Sequence, residues 1–237
     1  IDFAPKNAIF ARQVTEGTSQ PLYTNALIPQ KQRIFMTIGA VIFDFGNVLV
    51  GWDPENLYRR LIPDAAARKA FLTEICTPAW NLEQDRGRTW ADAIALLVKQ
   101  HPQHEKLIRA FHEQWDEMVS GPVAEGHDIL ARVLAADIPA YGLTNWSGET
   151  YVTGARHLPF VKDMKYVAVS GHLKMVKPDA AIYHHLLEKI ALPPAQCVFI
   201  DDNAANIAAA DKLGIKTVHF KNDGRALDQL RALGLGI

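Results

Sequence analysis

Four short apolar runs stand out in the hydrophobic pattern of this chain, and each of them ends on polar residues. Turn residues and helical patterns flank these runs, which is typical of parallel strands that are covered on both faces. Ligands collect at the carboxyl ends of the strands in such sheets, so we expect the polar residues to converge at one edge. The residues in question are Asp44, Thr144, Asn145, Lys177, Asp201 and Asp202.

The remaining pattern alternates between strands and helices. Helical periodicity covers residues 125–136, 179–190, 204–213 and 225–233. Such alternation predicts an α/β fold with a Rossmann-like parallel sheet. The predicted strands cover residues 38–44, 139–144, 166–169, 197–201 and 216–220.

Residues 51–121 interrupt this alternation with helical patterns and no convincing strand. We interpret them as an α-helical cap inserted after the first core strand, so that residues 36–50 and 122–237 form the Rossmann-like core. Residues 1–35 lack periodicity, and we interpret them as an extension ahead of a natural start at Met36, or as a docking arm. The helical patterns of the insert cover residues 56–61, 65–76, 90–100 and 104–118.

The composition is that of an ordinary globular enzyme. The 237 residues are 49% hydrophobic and 22% charged, with a formal net charge of -1. This balance lacks the basic surface that a nucleic-acid backbone requires, so we expect no nucleic-acid partner. No apolar stretch approaches the length of a membrane span, and the N-terminus lacks the layout of a signal peptide. We therefore expect no membrane partner. The two cysteines, Cys76 and Cys197, are interpreted as buried thiols rather than a disulfide or metal pair, which favours a cytoplasmic protein.

The carboxylates at the strand ends indicate phosphate chemistry with a metal ion. Asp44 can act as a covalent nucleophile and bind a hard cation at the same time, or it can merely cap a helix or turn. Gly46 permits a tight turn and exposes its backbone carbonyl. Asp201 and Asp202 repel each other without a cation, and Mg2+ fits carboxylates from two neighbouring strands. The alternative is that one of this pair serves only as the N-cap of the following helix.

The other two strand ends offer groups that bind phosphate. Thr144 supplies a hydroxyl and Asn145 an amide, although this pair alone is usually a turn. Lys177 can neutralise a phosphate oxygen and restrain the carboxylate cluster. The sequence lacks a P-loop, a dinucleotide-binding glycine motif and the Gly-x-Ser-x-Gly elbow of serine hydrolases, which disfavours those three classes of enzyme.

In order and spacing, the four segments resemble the four motifs of the haloacid dehalogenase-like hydrolase superfamily. The resemblance covers about residues 38–222, and the helical insert lies where the C1 cap of that family lies. It implies that Asp44 is the nucleophile, that Asp202 is a direct magnesium ligand, and that Asp201 is a second ligand or a group behind it. The remaining implied contacts are the Gly46 carbonyl for the metal, and Thr144, Asn145 and the motif-three lysine, Lys177, for the phosphate.

Motif one departs from the form usual in the phosphatases of this family. That form is Asp-x-Asp-Gly-Thr, in which the second Asp is the general acid/base, whereas this chain has Gly46 followed by Asn-Val. A subgroup with Asp-x-Gly-Asn-Val resembles sugar-phosphate phosphatases, so the resemblance still implies activity. Asp85, Glu83, His172 or solvent can replace the missing acid, and the sequence does not decide among them.

We therefore predict Mg2+-dependent hydrolysis of a small phosphomonoester, such as a sugar phosphate, through an aspartyl-phosphate intermediate. The alternatives are a catalytically weak phosphate-binding protein and a 2-haloacid dehalogenase, which needs no metal and is disfavoured by Asp201 and Asp202. The substrate is expected to contact the cap at a polar interruption between helices, residues 80–87. Trp80 can stack on a sugar or base and Arg86 can hold a second anionic group, or this segment is a loop whose tryptophan packs into the cap core. The sequence does not determine the oligomeric state.

Overall fold

The computed structural model describes residues 37–237, which contain a central sheet of five parallel strands and a small antiparallel sheet of two. In chain order the strands are β1 (Ala40–Phe43), β2 (Val50–Trp52), β3 (Val119–Pro122), β4 (Ala140–Thr144), β5 (Tyr166–Val169), β6 (Cys197–Asp201) and β7 (Lys216–His219). The central sheet has the order β5-β4-β1-β6-β7, so β1 lies in the middle. This arrangement confirms the predicted α/β fold.

Helices cover both faces of the central sheet. Within residues 37–237 the α-helices are α1 (Pro54–Leu61), α2 (Ala65–Ala70), α3 (Pro78–Asp85), α4 (Trp90–Gln100), α5 (Glu105–Glu113), α6 (Ala124–Ala135), α7 (Gly148–Gly154), α8 (Ser170–Leu173), α9 (Ala180–Ile190), α10 (Ala204–Lys212) and α11 (Ala226–Ala232). Helices α6 and α11 contribute to the apolar core on one face, and α9 and α10 to the core on the other.

The middle strand is apolar throughout because neither of its faces meets solvent. Successive side chains of a strand point to opposite faces. Val41 and Phe43 accordingly belong to the first of these cores, and Ala40 and Ile42 to the second. A continuous apolar run is therefore the pattern that a buried parallel strand requires.

The chain between β2 and β3 forms a helical insert, residues 53–118, that contains α1 to α5. It has an apolar core of its own, which includes Leu57, Trp90, Phe111 and Met118. The two short strands pair antiparallel at its base, with Val50 opposite Pro122. The insert thus leaves the core and returns to it at neighbouring points.

Two expectations for the insert are wrong. The first was that it contains no strand, whereas β2 and β3 bound it; these strands are short, and the register shifts between Gly51 and Trp52, so they carry no alternating pattern. The second was a polar loop at residues 80–87, whereas most of that segment belongs to α3. Thr77 caps this helix by accepting a hydrogen bond from the Trp80 N–H, and proline occupies the first turn.

Three further predictions have different outcomes. Cys76 and Cys197 are both buried free thiols, as predicted. No helix within residues 37–237 combines the length and the apolar character that crossing a bilayer demands. The predicted extension at residues 1–35 lies outside the described residues, and the cytoplasmic location stays a prediction.

Candidate active site

Three carboxylates meet at the carboxyl edge of the central sheet. Asp44 follows β1, Asp201 is the last residue of β6, and Asp202 comes next. Because β1 and β6 are paired neighbours, with Phe43 opposite Ile200, the residues that follow them are brought together. Each of the three acids offers an oxygen, and these oxygens all lie within 4.8 Å of one another.

A buried lysine joins two of these acids. Lys177 Nζ lies 2.8 Å from Asp44 Oδ1 and 2.7 Å from Asp201 Oδ2. Its backbone is held by the Asn145 side chain, whose Oδ1 accepts from the Lys177 N–H at 2.8 Å and whose Nδ2 donates to the Lys177 carbonyl at 2.9 Å. The lysine therefore connects the ends of β1 and β6 through its ammonium group and the end of β4 through its backbone.

Asp201 and Asp202 have different surroundings. Asp201 is fully buried and accepts hydrogen bonds from Asn206 Nδ2 at 3.0 Å and from the Asn203 N–H at 2.7 Å, in addition to its contact with the lysine. Asp202 is half-buried, and its side-chain partner is Asn47 Nδ2 at 3.4 Å. The donors around Asp201 hold its carboxylate in place, whereas Asp202 retains free coordinating capacity.

The cluster has more negative than positive charge. Burial raises the pKa of Asp44 well above its usual value, Lys177 lowers it, and Asp201 raises it again. Burial and the neighbouring Asp201 likewise raise the pKa of Asp202. Burial lowers the pKa of Lys177, but the attraction of Asp201 and Asp44 raises it by a larger amount. The pKa of Lys177 therefore lies above its usual value, and the ammonium stays charged. One ammonium against three carboxylates leaves room for a divalent cation, and an all-oxygen donor set suits magnesium.

A cavity of about 500 Å³, including its open mouth, lies beside this cluster. Its polar lining comes from both the core and the insert, and consists of Gly46, Asn81, Asp85, Thr144, Asn145 and Thr150. Its apolar lining consists of Val50, Trp52, Trp90, Trp115, Val119 and Trp146. Thr144 and Asn145, two of the residues predicted to bind phosphate, thus line a cavity that also contains four tryptophans.

Two of the predicted substrate contacts lie elsewhere. The Trp80 ring packs edge-on against Trp90 and Phe111 in the core of the insert, with ring centroids 5.6 and 5.2 Å away. Arg86 Nη1 lies 2.8 Å from Asp179 Oδ2, across the gap between the insert and the start of α9. Neither side chain lines the cavity, because α3 turns Trp80 inward and the acid at the start of α9 engages Arg86.

The same helix brings two other residues of the predicted contact segment, residues 80–87, to the cavity. Asn81 and Asp85, four residues apart, lie on one face of α3 and line the cavity. Asp85 Oδ2 accepts a hydrogen bond from Asn81 Nδ2 at 3.2 Å. Thr77 and Pro78 form a helix-start signal that could have predicted this face. The segment was instead interpreted as a break between helices, for which no helical face is expected.

Comparison with known proteins identifies relatives of most of the described region. A family model for haloacid dehalogenase-like hydrolases matches residues 38–214. A phosphorylated carbohydrates phosphatase of Thermotoga maritima is 32% identical over 205 residues, which is 83% of this chain and 93% of that protein. A sesquiterpene phosphatase of Aspergillus oryzae is 26% identical over 199 residues, covering 83% of this chain and 97% of that protein. The chain spans only 19% and 36% of the length of two further curated relatives that it matches.

Solved structures show the same fold. A magnesium complex of the HAD family enzyme bt-2542 from Bacteroides thetaiotaomicron superposes with a TM-score of 0.64 at 23% identity, covering 82% of this chain and 98% of that one.

Proposed function

The chain belongs to the haloacid dehalogenase-like hydrolases, and from this premise we propose that it is a magnesium-dependent phosphomonoester hydrolase that acts through an aspartyl-phosphate. The observation that carries the proposal is the cluster of Asp44, Asp201 and Asp202, in which Lys177 contacts the first two acids. A hydrolase that only cleaves carbon–halogen bonds gains nothing from three adjacent acids. The phosphatase names of two full-length relatives support the same reaction.

Asp44 is the proposed nucleophile. Its Oδ1 accepts from the Phe45 N–H at 2.7 Å and contacts Lys177, which fixes the plane of the carboxylate and leaves Oδ2 for attack on phosphorus. The new bond between Asp44 and phosphorus forms as the ester oxygen leaves, and water then hydrolyses the acyl phosphate. Thr144 and Lys177 would bind the phosphoryl oxygens, and the Asn145 side chain holds the lysine backbone in position.

Magnesium would be held by the carboxylates of Asp44 and Asp202 and the backbone carbonyl of Gly46. The bound cation would supply positive charge that stabilises the transferring phosphoryl group. The carboxylate oxygens of Asp201 accept hydrogen bonds from Lys177 and Asn206. Asp201 would therefore not bind the metal directly but would hold Lys177 beside the metal ligands. The bt-2542 relative, crystallised with magnesium, supports this choice of metal.

We propose that the helical insert is the cap that shapes the substrate site. Its Asn81, Asp85 and Trp90 face the same cavity as Thr144 and Asn145 of the core. A group on the leaving side of the phosphate would therefore contact residues of the insert.

We propose a substrate with an apolar organic group, because four tryptophans and two valines make up half of the cavity lining. Trp52, Trp115 and Val119 lie on the walls and carry no charge to pair with a second anionic group. Burial of hydrocarbon against such walls stabilises binding by about 25 cal/mol per Å². One relative is named for phosphorylated carbohydrates and another for sesquiterpenes, and the lining of this cavity matches the second chemistry better.

Removal of the metal tests the proposed reaction. With Mg2+ the protein should hydrolyse phosphomonoesters, and excess EDTA should lower the rate by about 10²-fold or more, since the cation accounts for several kcal/mol of charge stabilisation. Release of phosphate is the measurement, and readdition of Mg2+ is the control. Full activity in chelator with halide released from a 2-haloacid would favour the dehalogenase, and phosphate binding without turnover would favour the weak binder.

The substrate class is tested by shortening one wall residue. Val119→Ala removes two methyl groups from a half-buried position of the cavity, so kcat/KM for an isoprenoid monophosphate should fall about 10-fold. The value for glucose 6-phosphate should not change. Leu96→Ala is the matched control, because Leu96 is exposed on α4 and should affect neither substrate. Equal losses with both substrates would contradict an apolar subsite at this wall.

A further inference from the structure

The proposed reaction lacks an assigned proton donor. An alcohol leaves phosphorus readily only if its oxygen receives a proton, and a positioned acid accelerates this step by about 10²–10⁴-fold. Gly46 occupies the position at which related phosphatases carry that acid, and it has no side chain. A Cβ atom placed on Gly46 would meet nothing within 4 Å, so the space for an acid exists but is not filled from there.

Three side chains are candidates for the missing acid, and the structure places them in different surroundings. Glu83 is exposed and lies 3.8 Å from Arg86 on the outer side of α3. His172 is also exposed, and its ring packs edge-on against Tyr151. Neither lines the cavity. Asp85 does, together with Gly46 and Thr144.

Asp85 is held in place at the wall of the cavity. It is half-buried at the last position of α3, where Asn81 Nδ2 donates to its Oδ2 at 3.2 Å. The preceding helix position is fixed as well, since Arg88 Nε donates to Gln84 Oε1 at 2.7 Å. Burial raises the pKa of Asp85 to about 7, against the smaller lowering effects of the Ser147 N–H and of Lys177. A carboxyl group with this pKa both gives and takes a proton near neutral pH.

We infer that Asp85, carried by the insert, is the general acid/base of this enzyme and takes the place of the acid absent at position 46. The inference rests on the proposed phosphatase function. In the first step the Asp85 carboxyl gives its proton to the ester oxygen as the P–O bond breaks and the bond between Asp44 and phosphorus forms. In the second step the Asp85 carboxylate takes a proton from the water whose oxygen attacks phosphorus, which releases inorganic phosphate and restores both aspartates. The insert therefore takes part in the reaction as well as in substrate binding.

The leaving group distinguishes this role from a structural one. In Asp85→Asn, kcat/KM for an alkyl phosphate should fall by about 10²–10⁴-fold, because the oxygen of an alkyl ester is a poor leaving group unless it receives a proton. The kcat/KM for p-nitrophenyl phosphate should remain close to that of the wild type, because nitrophenolate leaves without a proton. The variant should also release a burst of nitrophenolate and then turn over slowly, since the second step lacks its base.

Two further variants complete the experiment. Glu83→Gln removes an exposed acid from the same helix and should leave both substrates unaffected. Gly46→Asp in the Asp85→Asn background should recover activity toward the alkyl phosphate, because the space beside Gly46 is open. Equal losses of kcat/KM with both esters in Asp85→Asn, or full retention with the alkyl ester, would overturn the inference. An inactive wild type would instead overturn the proposed function itself.

Discussion

Asp44→Asn is expected to reduce turnover on the order of 10⁶-fold, as removal of a nucleophile does in other hydrolases. Asparagine has the same shape and its amide oxygen can still accept from the Phe45 N–H, but it carries no charge and is a poor nucleophile. The steady-state rate with p-nitrophenyl phosphate and Mg2+ measures the loss. Thermal unfolding should show a folded protein, because the substitution removes one of three crowded negative charges rather than a contact of the core.

Binding of a phosphoryl analogue is the complementary measurement. Beryllium fluoride with Mg2+ occupies the position of an aspartyl-phosphate and requires a carboxylate to coordinate beryllium. The wild type should therefore bind it, and Asp44→Asn should bind it far more weakly, as 19F NMR can detect. Asp202→Asn provides a comparison in which the proposed metal ligand is weakened while the nucleophile remains. Turnover by Asp44→Asn within tenfold of the wild type would exclude Asp44 as the nucleophile.

The sequence predicted the family and the core because both depend on features that are local along the chain. The family match confirms the assignment made from four motifs. Three of the four motifs are buried parallel strands followed by polar residues, so Asp44 and Asp201 were assigned to one edge without knowledge of the tertiary structure. The strand expected at Lys177 is wrong, because this residue lies in the turn between α8 and α9. The parallel pairing of β1 with β4 and β6 is what brings them to that edge. The catalytic and metal-binding roles of these residues stay predictions.

The walls of the cavity were not predictable in the same way. Trp80 is the tryptophan of the insert that the sequence predicted to contact the substrate, yet of Trp80 and Trp90 it is Trp90 that lines the cavity. Which face of a helix meets the core depends on how the insert folds back over the sheet, and a single helix carries no record of that packing. Trp115 illustrates the same point, because its ring centroid lies 5.1 Å from that of Trp146 although 31 positions separate the two residues in the chain.

Lys177→Met should give the largest loss of stability. The side chain is buried between Asp44 and Asp201, and its removal leaves two buried carboxylates without a counter-ion. Breaking a buried ion pair from one side costs about 3–5 kcal/mol, since the remaining charge has neither water nor a partner. Urea unfolding in EDTA measures this loss as a lower transition midpoint.

Magnesium and a second substitution identify the origin of that loss. Mg2+ binds the native acids but not the unfolded chain, so it should stabilise Lys177→Met more than it stabilises the wild type. The double variant Lys177→Met/Asp201→Asn removes one uncompensated charge together with the lysine, so it should unfold at a higher urea concentration than Lys177→Met. It should still lack activity, because the lysine is also proposed to bind a phosphoryl oxygen. If Lys177→Met were as stable as the wild type in EDTA, the buried acids would hold protons in the native protein and the lysine would not be their counter-ion.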